Sequence, residues 1–144
     1  MRNHPPFFLS LLTLALTAAA CGGNSTTSPA STSVASPTAT ETFTGQLAVG
    51  GSRFYSFVVP LNGTVNVTLV SVGGTDVVPT VMLVLGIGTP SGTGCATSSS
   101  VNAQAGVSTP QITLTEGPGR YCAVVADIGN LVAPATFTVT IDHP

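Results

Sequence analysis

The chain has 144 residues, of which 43% are hydrophobic and only 6% are charged. This length supports one hydrophobic core and no second sizeable domain. The chain contains no lysine, and beyond residue 20 only Arg53 and Arg120 oppose five carboxylates. Because nucleic-acid binding needs clustered cations, this balance excludes a nucleic-acid partner.

The first 20 residues have the pattern of an export signal that is removed by cleavage. Arg2 supplies a positive start, and residues 7–20 are apolar apart from three hydroxyl-bearing residues. This run is too short for a permanent membrane-spanning helix but fits the apolar region of a secretory signal. Three alanines at 18–20 stand where a signal peptidase reads the chain, and Cys21 follows at once.

The three alanines and Cys21 resemble the lipobox of bacterial lipoproteins. In that family the matching cysteine receives a diacylglycerol thioether, cleavage occurs just before it, and its new amino group is acylated. The resemblance implies lipid attachment at Cys21 and a membrane anchor. Gram-negative lipoproteins that are kept at the inner membrane have aspartate after the lipidated cysteine, whereas this chain has Gly22. The resemblance therefore favours the outer membrane or cell surface. The alternative is an ordinary secreted protein with a chance cysteine at the cleavage site.

Residues 21–41 form a linker rich in serine, threonine and proline. Val34 is its only sizeable apolar side chain, so this segment cannot bury enough surface to offset the entropy of ordering it. We therefore predict a disordered tether with a reach of roughly 25 Å.

A hydrophobic period of two residues begins at Thr42 and predicts a domain over 42–144. Asn62-Gly63 is typical of a hairpin turn, whereas the polar run 88–107 indicates loops around a short strand near Cys95. No stretch beyond residue 21 has a helical period. The sequence predicts an all-β fold, a single antiparallel, jelly-roll-like β-sandwich of about eight strands, with seven placed at 42–49, 53–59, 64–69, 81–85, 111–115, 120–126 and 136–142.

The strand patterns also resemble a known family, the bacterial pre-peptidase C-terminal domain, over nearly all of 42–142. Members of that family are β-sandwiches attached to secreted proteases and other exported enzymes, and some bind matrix polymers or polysaccharide. Many carry an aspartate-rich, calcium-associated stretch before the central strand, where this chain has only Asp76 nearby. The resemblance is carried by Phe43-Thr44-Gly45-x-Leu47, Phe54-Tyr55-x-Phe57-x-Val59, Gly63-x-Val65-x-Val67-x-Leu69, Gly119-x-Tyr121-x-Ala123-Val124 and Phe137-x-Val139-x-Ile141.

Cys95 and Cys122 are the two cysteines left to the folded domain. An even pair in an exported protein predicts a disulfide, and two buried free thiols are the alternative. A catalytic thiol is disfavoured, because the domain has few cations to stabilise a thiolate.

The remaining polar residues give little sign of catalysis. His143 stands one residue from the last position of the sequence, a poor place for a rigidly held catalytic base. The sequence predicts no cofactor and no metal site, since its carboxylates lie near turns where they are usually solvated. These carboxylates are Asp76, Glu116, Asp127 and Asp142.

Arg53, Phe54, Tyr55 and Tyr121 are the candidate recognition residues, because aromatic rings with polar handles suit sugar or peptide surfaces. The alternative is that these rings fill or border the core. We therefore expect a non-catalytic, lipid-anchored cell-envelope protein that binds a polysaccharide or an envelope protein. The alternatives are a purely structural or interaction lipoprotein and a small secreted hydrolase.

Overall fold

The computed structural model describes residues 33–144, which form eight β-strands and no helix. The predicted signal, Cys21 and most of the predicted linker lie outside the described residues. Within 33–144, no helix is long and apolar enough to cross a membrane. The strands are β1 Ala39–Leu47, β2 Ser52–Val59, β3 Gly63–Gly73, β4 Met82–Ser91, β5 Gly94–Gln104, β6 Ile112–Glu116, β7 Gly119–Asp127 and β8 Ala135–His143.

The eight strands form two antiparallel four-stranded sheets that pack face to face. Sheet A has the order β1-β8-β3-β6, and sheet B has the order β2-β7-β4-β5. Only β4 and β5 are both consecutive in sequence and paired, and every other connection crosses between the sheets. This is the strand order of an eight-stranded jelly roll, so the predicted all-β sandwich is confirmed.

The core lies between the sheets, where alternate residues of each strand point inward. β8 follows this period throughout, since Phe137, Val139 and Ile141 are buried while the residues between them face outward. Each such aliphatic or aromatic side chain stabilises the fold by about 1.5–3 kcal/mol on full burial. The largest fully buried side chains are Leu47, Leu69, Leu83, Leu85, Ile87 and Ile141.

The outer faces of the two sheets differ in chemistry. Sheet A presents threonines in register, with Thr42 opposite Thr140 and Thr44 opposite Thr138. Sheet B presents apolar side chains, and its Phe54 lies opposite Val124. A threonine face is well solvated, so the more apolar face of sheet B is the better candidate for a contact surface.

The predicted hairpin at Asn62-Gly63 is wrong, because the chain changes sheet there. β2 pairs with β7 in sheet B, whereas β3 pairs with β6 and β8 in sheet A. Gly63 instead permits a close approach by the segment before β1. Ala35 forms a parallel bridge with Gly63, and its carbonyl accepts the N–H of Thr64 at 2.9 Å. A Cβ at residue 63 would collide with that carbonyl.

The loops predicted over 88–107 are also wrong, because β4 and β5 form a long hairpin there, and the short strand predicted near Cys95 is the longer β5. β5 is an edge strand of sheet B, and its polar side chains face solvent while Val101 and Ala103 pack inward. An edge strand needs few apolar residues, which explains its loop-like composition. β1 begins at Ala39, three residues before the predicted start, and pairs with the end of β8.

The connections divide the sandwich into two ends. We call the end that carries the four connections 48–51, 74–81, 105–111 and 128–134 the loop end. The other end, which we call the N-terminal end, holds residues 33–38 and the β2–β3 connection. There the N–H of Thr38 donates to the His143 carbonyl at 2.9 Å. The chain therefore enters the sandwich at the end opposite the four loops.

Candidate binding groove

A groove of about 360 Å³ lies on the outer face of sheet B. One side is the start of β2, another is the β4–β5 hairpin, and β7 contributes one apolar residue. This volume falls within the range of small-molecule sites in proteins. The groove is lined by Ser52, Arg53, Phe54, Thr93, Gly94, Cys95, Thr97 and Val124.

The β4–β5 hairpin forms one wall because its tip leaves the sheet. β4 pairs with β7 only as far as Gly88, whereas its pairing with β5 continues to Ser91. The register shifts between Ile87 and Gly88, and the Ser98 hydroxyl donates to the Ile87 carbonyl at 3.1 Å beside this bulge. A β-bulge bends a strand, so the tip of the hairpin departs from the plane of sheet B.

The Cys95–Cys122 disulfide fastens the hairpin to β7. The two Cα atoms are 6.0 Å apart, and Cys122 is fully buried although it points to the outer side of the sheet. The predicted disulfide is confirmed. It holds the wall of the groove in place, because Cys95 itself lines the groove.

Two glycines of β4 permit this close packing. A Cβ at Gly88 would overlap the backbone of Ala96, and a Cβ at Gly86 would press on the side chain of Thr97. Both glycines are buried although they lie on the outer side of the strand. The apolar run of β4 is therefore covered on both sides, by the core and by its own hairpin partner.

The groove combines apolar surface with hydrogen-bonding groups. Phe54 is 40% exposed, and it lies beside the half-buried Val124. Hydroxyl groups of Ser52, Thr93 and Thr97 surround them. An apolar patch bordered by hydroxyls suits an amphipathic ligand such as a sugar ring, whose faces are apolar and whose edges are polar.

Arg53 also lines the groove, as a candidate recognition residue should. Its Nε donates to the Gln46 carbonyl at 3.1 Å, which fixes the start of the side chain against β1. Its side chain is therefore directed toward β1, on the same side of β2 as Tyr55.

Tyr55 lies on the inner side of β2 and does not line the groove. Its ring stacks on Phe43 with centroids 4.8 Å apart, and its hydroxyl donates to the Thr44 carbonyl at 3.0 Å. Together with the Arg53 contact to Gln46, this hydrogen bond covers two carbonyls of β1, an edge strand of sheet A. Covering such groups discourages edge-to-edge pairing with other chains.

Tyr121 also lies on the inner side of its strand. Its hydroxyl donates to the Gly117 carbonyl at 3.0 Å, and its ring centroid is 6.0 Å from that of Phe57. Burial, followed by the nearby Glu116 carboxylate, raises the pKa of Tyr121. Of the candidate recognition residues, the structure therefore brings only Arg53 and Phe54 to the groove.

Sequence reasoning missed Ser52, Thr93, Thr97 and Val124 as groove residues. Period-two alternation places Phe54 and Val124 on the outer face of sheet B, so their orientation was open to prediction. The approach of Thr93 and Thr97 was not, because it depends on the bulge in β4 and on the disulfide.

His143 is buried, so the expectation that its position would leave it loosely held is wrong. Its Nε2 lies 3.1 Å from Glu41 Oε1, and its Nδ1 lies 3.0 Å from the Pro144 carbonyl oxygen. The ring also packs 5.7 Å from the ring of Phe57. Both ring nitrogens face oxygen atoms of other groups, which leaves neither aimed at a serine or threonine hydroxyl.

Asp127 stabilises the loop end. Its carboxylate accepts the backbone N–H groups of Gly50 at 2.7 Å and Gly129 at 2.9 Å, and also those of Asn130 and Leu131. The Gly50 hydrogen bond is the main reason that the pKa of Asp127 lies below its usual value. This carboxylate joins the β1–β2 and β7–β8 connections. Across 33–144, no three histidine, cysteine or carboxylate side chains cluster as metal ligands.

Comparison of the chain with protein-family models and with curated proteins finds no match.

Proposed function

We propose that this chain is a non-catalytic, lipid-anchored protein of the bacterial cell envelope whose β-sandwich binds a polysaccharide in the groove of sheet B. The observation that carries this proposal is the groove itself, where an exposed Phe54 ring is bordered by the hydroxyl-bearing residues Ser52, Thr93 and Thr97. Such a surface provides both stacking and hydrogen bonds for a sugar chain.

The sequence before the sandwich supports the anchor. The export pattern of residues 1–20 and the lipobox-like Cys21 place a lipid at the new N-terminus, and several acyl chains together give stable membrane attachment. The outer membrane or cell surface is the proposed location, because Gly22 follows Cys21 where lipoproteins kept at the inner membrane have aspartate. A tether over the following residues would hold the groove clear of the lipid.

We also propose that the sandwich is a divergent member of the pre-peptidase C-terminal family. The support is the strand pattern over 42–142 together with the jelly-roll order of the two sheets. In that family the domain accompanies exported enzymes and is not itself the catalyst, which agrees with an accessory binding role.

The surroundings of His143 support a non-catalytic role. The triad chemistry of hydrolases needs a base hydrogen-bonded to a nucleophilic hydroxyl. Here the ring nitrogens face Glu41 and Pro144. His143 instead ties the end of β8 to β1 in sheet A.

The test is affinity electrophoresis of the full-length protein in gels that contain a panel of neutral and acidic polysaccharides. We expect at least one polymer to retard the protein, and Phe54→Ala to weaken that binding about three- to tenfold through loss of stacking. The matched control is Val58→Ala, since Val58 is also an exposed outer residue of β2 but lies outside the groove.

Two results would contradict this proposal. If no polymer retards the protein, a polysaccharide is not its ligand. If Phe54→Ala and Val58→Ala have equal effects, the groove is not the binding site. Reproducible turnover of a hydrolase substrate, abolished by His143→Ala in a protein that still folds, would restore the hydrolase alternative.

A further inference from the structure

The loop end of the sandwich carries an unusual set of exposed aliphatic side chains. Large hydrophobic residues project from all four connections there, and Val132 is the most exposed of them at 82%. Single exposed apolar residues scattered over a protein surface are ordinary, whereas a concentration of them at one end of a domain indicates a contact surface. The group consists of Val49, Val78, Val107, Ile128 and Val132.

Two of these residues border a cavity of about 250 Å³ between the β3–β4 and β7–β8 connections. Val81 and Leu131 are buried and form its apolar interior, whereas Val78 and Val132 are exposed at its rim. The polar lining residues are Asp76 and Asn130. An apolar interior with a polar rim is the usual anatomy of a protein-binding surface.

Asp76 gives this cavity its only formal charge. It adopts a φ of 64°, a left-handed conformation that is uncommon outside glycine. Asp76 is exposed, and within 33–144 no lysine, arginine or histidine nitrogen lies within salt-bridge distance of it. A cation on the incoming partner is therefore the missing complement.

We propose that the loop end docks a segment of another protein in which an aliphatic or aromatic side chain fills the cavity next to a lysine or arginine that pairs with Asp76. This site is separate from the groove and goes beyond the function proposed above. It gives the protein two binding surfaces, one for a polymer and one for a cationic apolar segment.

The composition of the loop end argues against other occupants. Its four connections contain no lysine, arginine or aromatic residue, the groups that hold a protein surface at lipid headgroups. A symmetric pairing of two loop ends would bring no cation to either Asp76, since these four connections contain no lysine or arginine. A cation from a different protein meets neither obstacle.

The experiment selects random displayed peptides on the immobilised full-length protein in detergent. We expect the enriched peptides to place a large apolar residue beside a lysine or arginine. Val78→Asn and Val132→Asn should abolish their binding, and both side chains are exposed enough for the fold to tolerate the change. Asp76→Asn should remove the preference for the cation, up to about fivefold for an exposed ion pair.

The matched control is Leu61→Asn, because Leu61 is 59% exposed at the opposite end of the sandwich. No enrichment, or enriched peptides that bind the Val132→Asn variant as tightly as the wild type, would overturn the proposal. So would a cation preference that survives Asp76→Asn. A dimer in sedimentation that Val132→Asn dissociates would assign the surface to a second copy, and binding to phosphatidylcholine vesicles that Val132→Asn weakens would assign it to lipid. None of these results depends on polysaccharide binding.

Discussion

Asp127 illustrates how a single side chain can hold two loops. A solvated carboxylate near a turn was the expectation from sequence, yet this one accepts four backbone N–H groups from two connections. The local signal was present, since aspartate commonly accepts N–H groups from the residues that follow it. The contact to Gly50 was not predictable, because 77 residues separate the two in sequence.

This arrangement predicts a pH-dependent contribution to stability. The folded-state pKa of Asp127 is depressed, so its contribution is present above the unfolded pKa and is lost as pH falls through the folded one. We expect Asp127→Asn to be less stable than the wild type at neutral pH. The difference should shrink below about pH 4. Urea unfolding at a series of pH values measures it, and a constant difference would refute the assignment.

Gly63 is needed for a different reason, the close passage of the segment around Ala35. A Cβ at residue 63 would meet the Ala35 carbonyl and the Pro144 ring. We expect Gly63→Ala to lower the free energy of unfolding by about 1–3 kcal/mol, as overpacking does. Amide exchange of Ala35 and Thr64 should accelerate, because the hydrogen bonds of this bridge would be displaced.

Gly117→Ala is the control for Gly63→Ala. A Cβ at Gly117 has no neighbouring atom within 4 Å, and its φ is not positive. The free energy of unfolding of the Gly117→Ala variant should therefore be unchanged or slightly higher than that of the wild type. Equal unfolding midpoints for Gly63→Ala and Gly117→Ala would show that the close approach at Gly63 does not affect stability.

Among the elements, strand positions were more predictable than strand partners. Alternation of Phe137, Val139 and Ile141 identified β8, and the same period identified β3. Asn62-Gly63 misled because turn chemistry describes a local bend and does not state which sheet the next strand joins. β5 was predicted only as a short strand near Cys95, because an edge strand exposes one face and one edge and needs few of the apolar residues that reveal a strand in sequence.

The β4–β5 hairpin depends on its disulfide for the conformation of its tip. The bond closes a separation of 27 residues, which corresponds to about 3.5 kcal/mol on the chain-entropy model. We expect the Cys95→Ala/Cys122→Ala variant to lose stability of this order and to lose the groove wall. Denaturant unfolding measures the first effect. Amide exchange at Thr93 and Gly94 measures the second, and unchanged exchange there would contradict the role given to the bond.

At the scale of the molecule, the jelly-roll order explains why the candidate sites lie where they do. Six of the eight strands are not paired with a strand next to them in sequence, so residues far apart in the chain meet. The groove brings Phe54 together with Thr97, and the loop end brings Val78 together with Val132. Sequence alternation predicted the class of fold. Both surfaces required the three-dimensional arrangement of the connections.

The two ends of the sandwich differ in what they carry. The chain enters beside Gly63 and His143, and the four apolar loops lie at the opposite end. The proposed lipid at Cys21 would therefore be joined to the sandwich at the end opposite the four loops. The biological setting of both surfaces depends on the claim that Cys21 carries a lipid.

The most direct test of that claim is the intact mass of the protein extracted from its own membranes, measured before and after reduction. We predict a chain that starts at Cys21 and carries added acyl mass, and that gains the hydrogens of one opened disulfide on reduction. An unmodified chain in the soluble fraction would contradict the lipid anchor and, with it, the placement of this protein on the envelope.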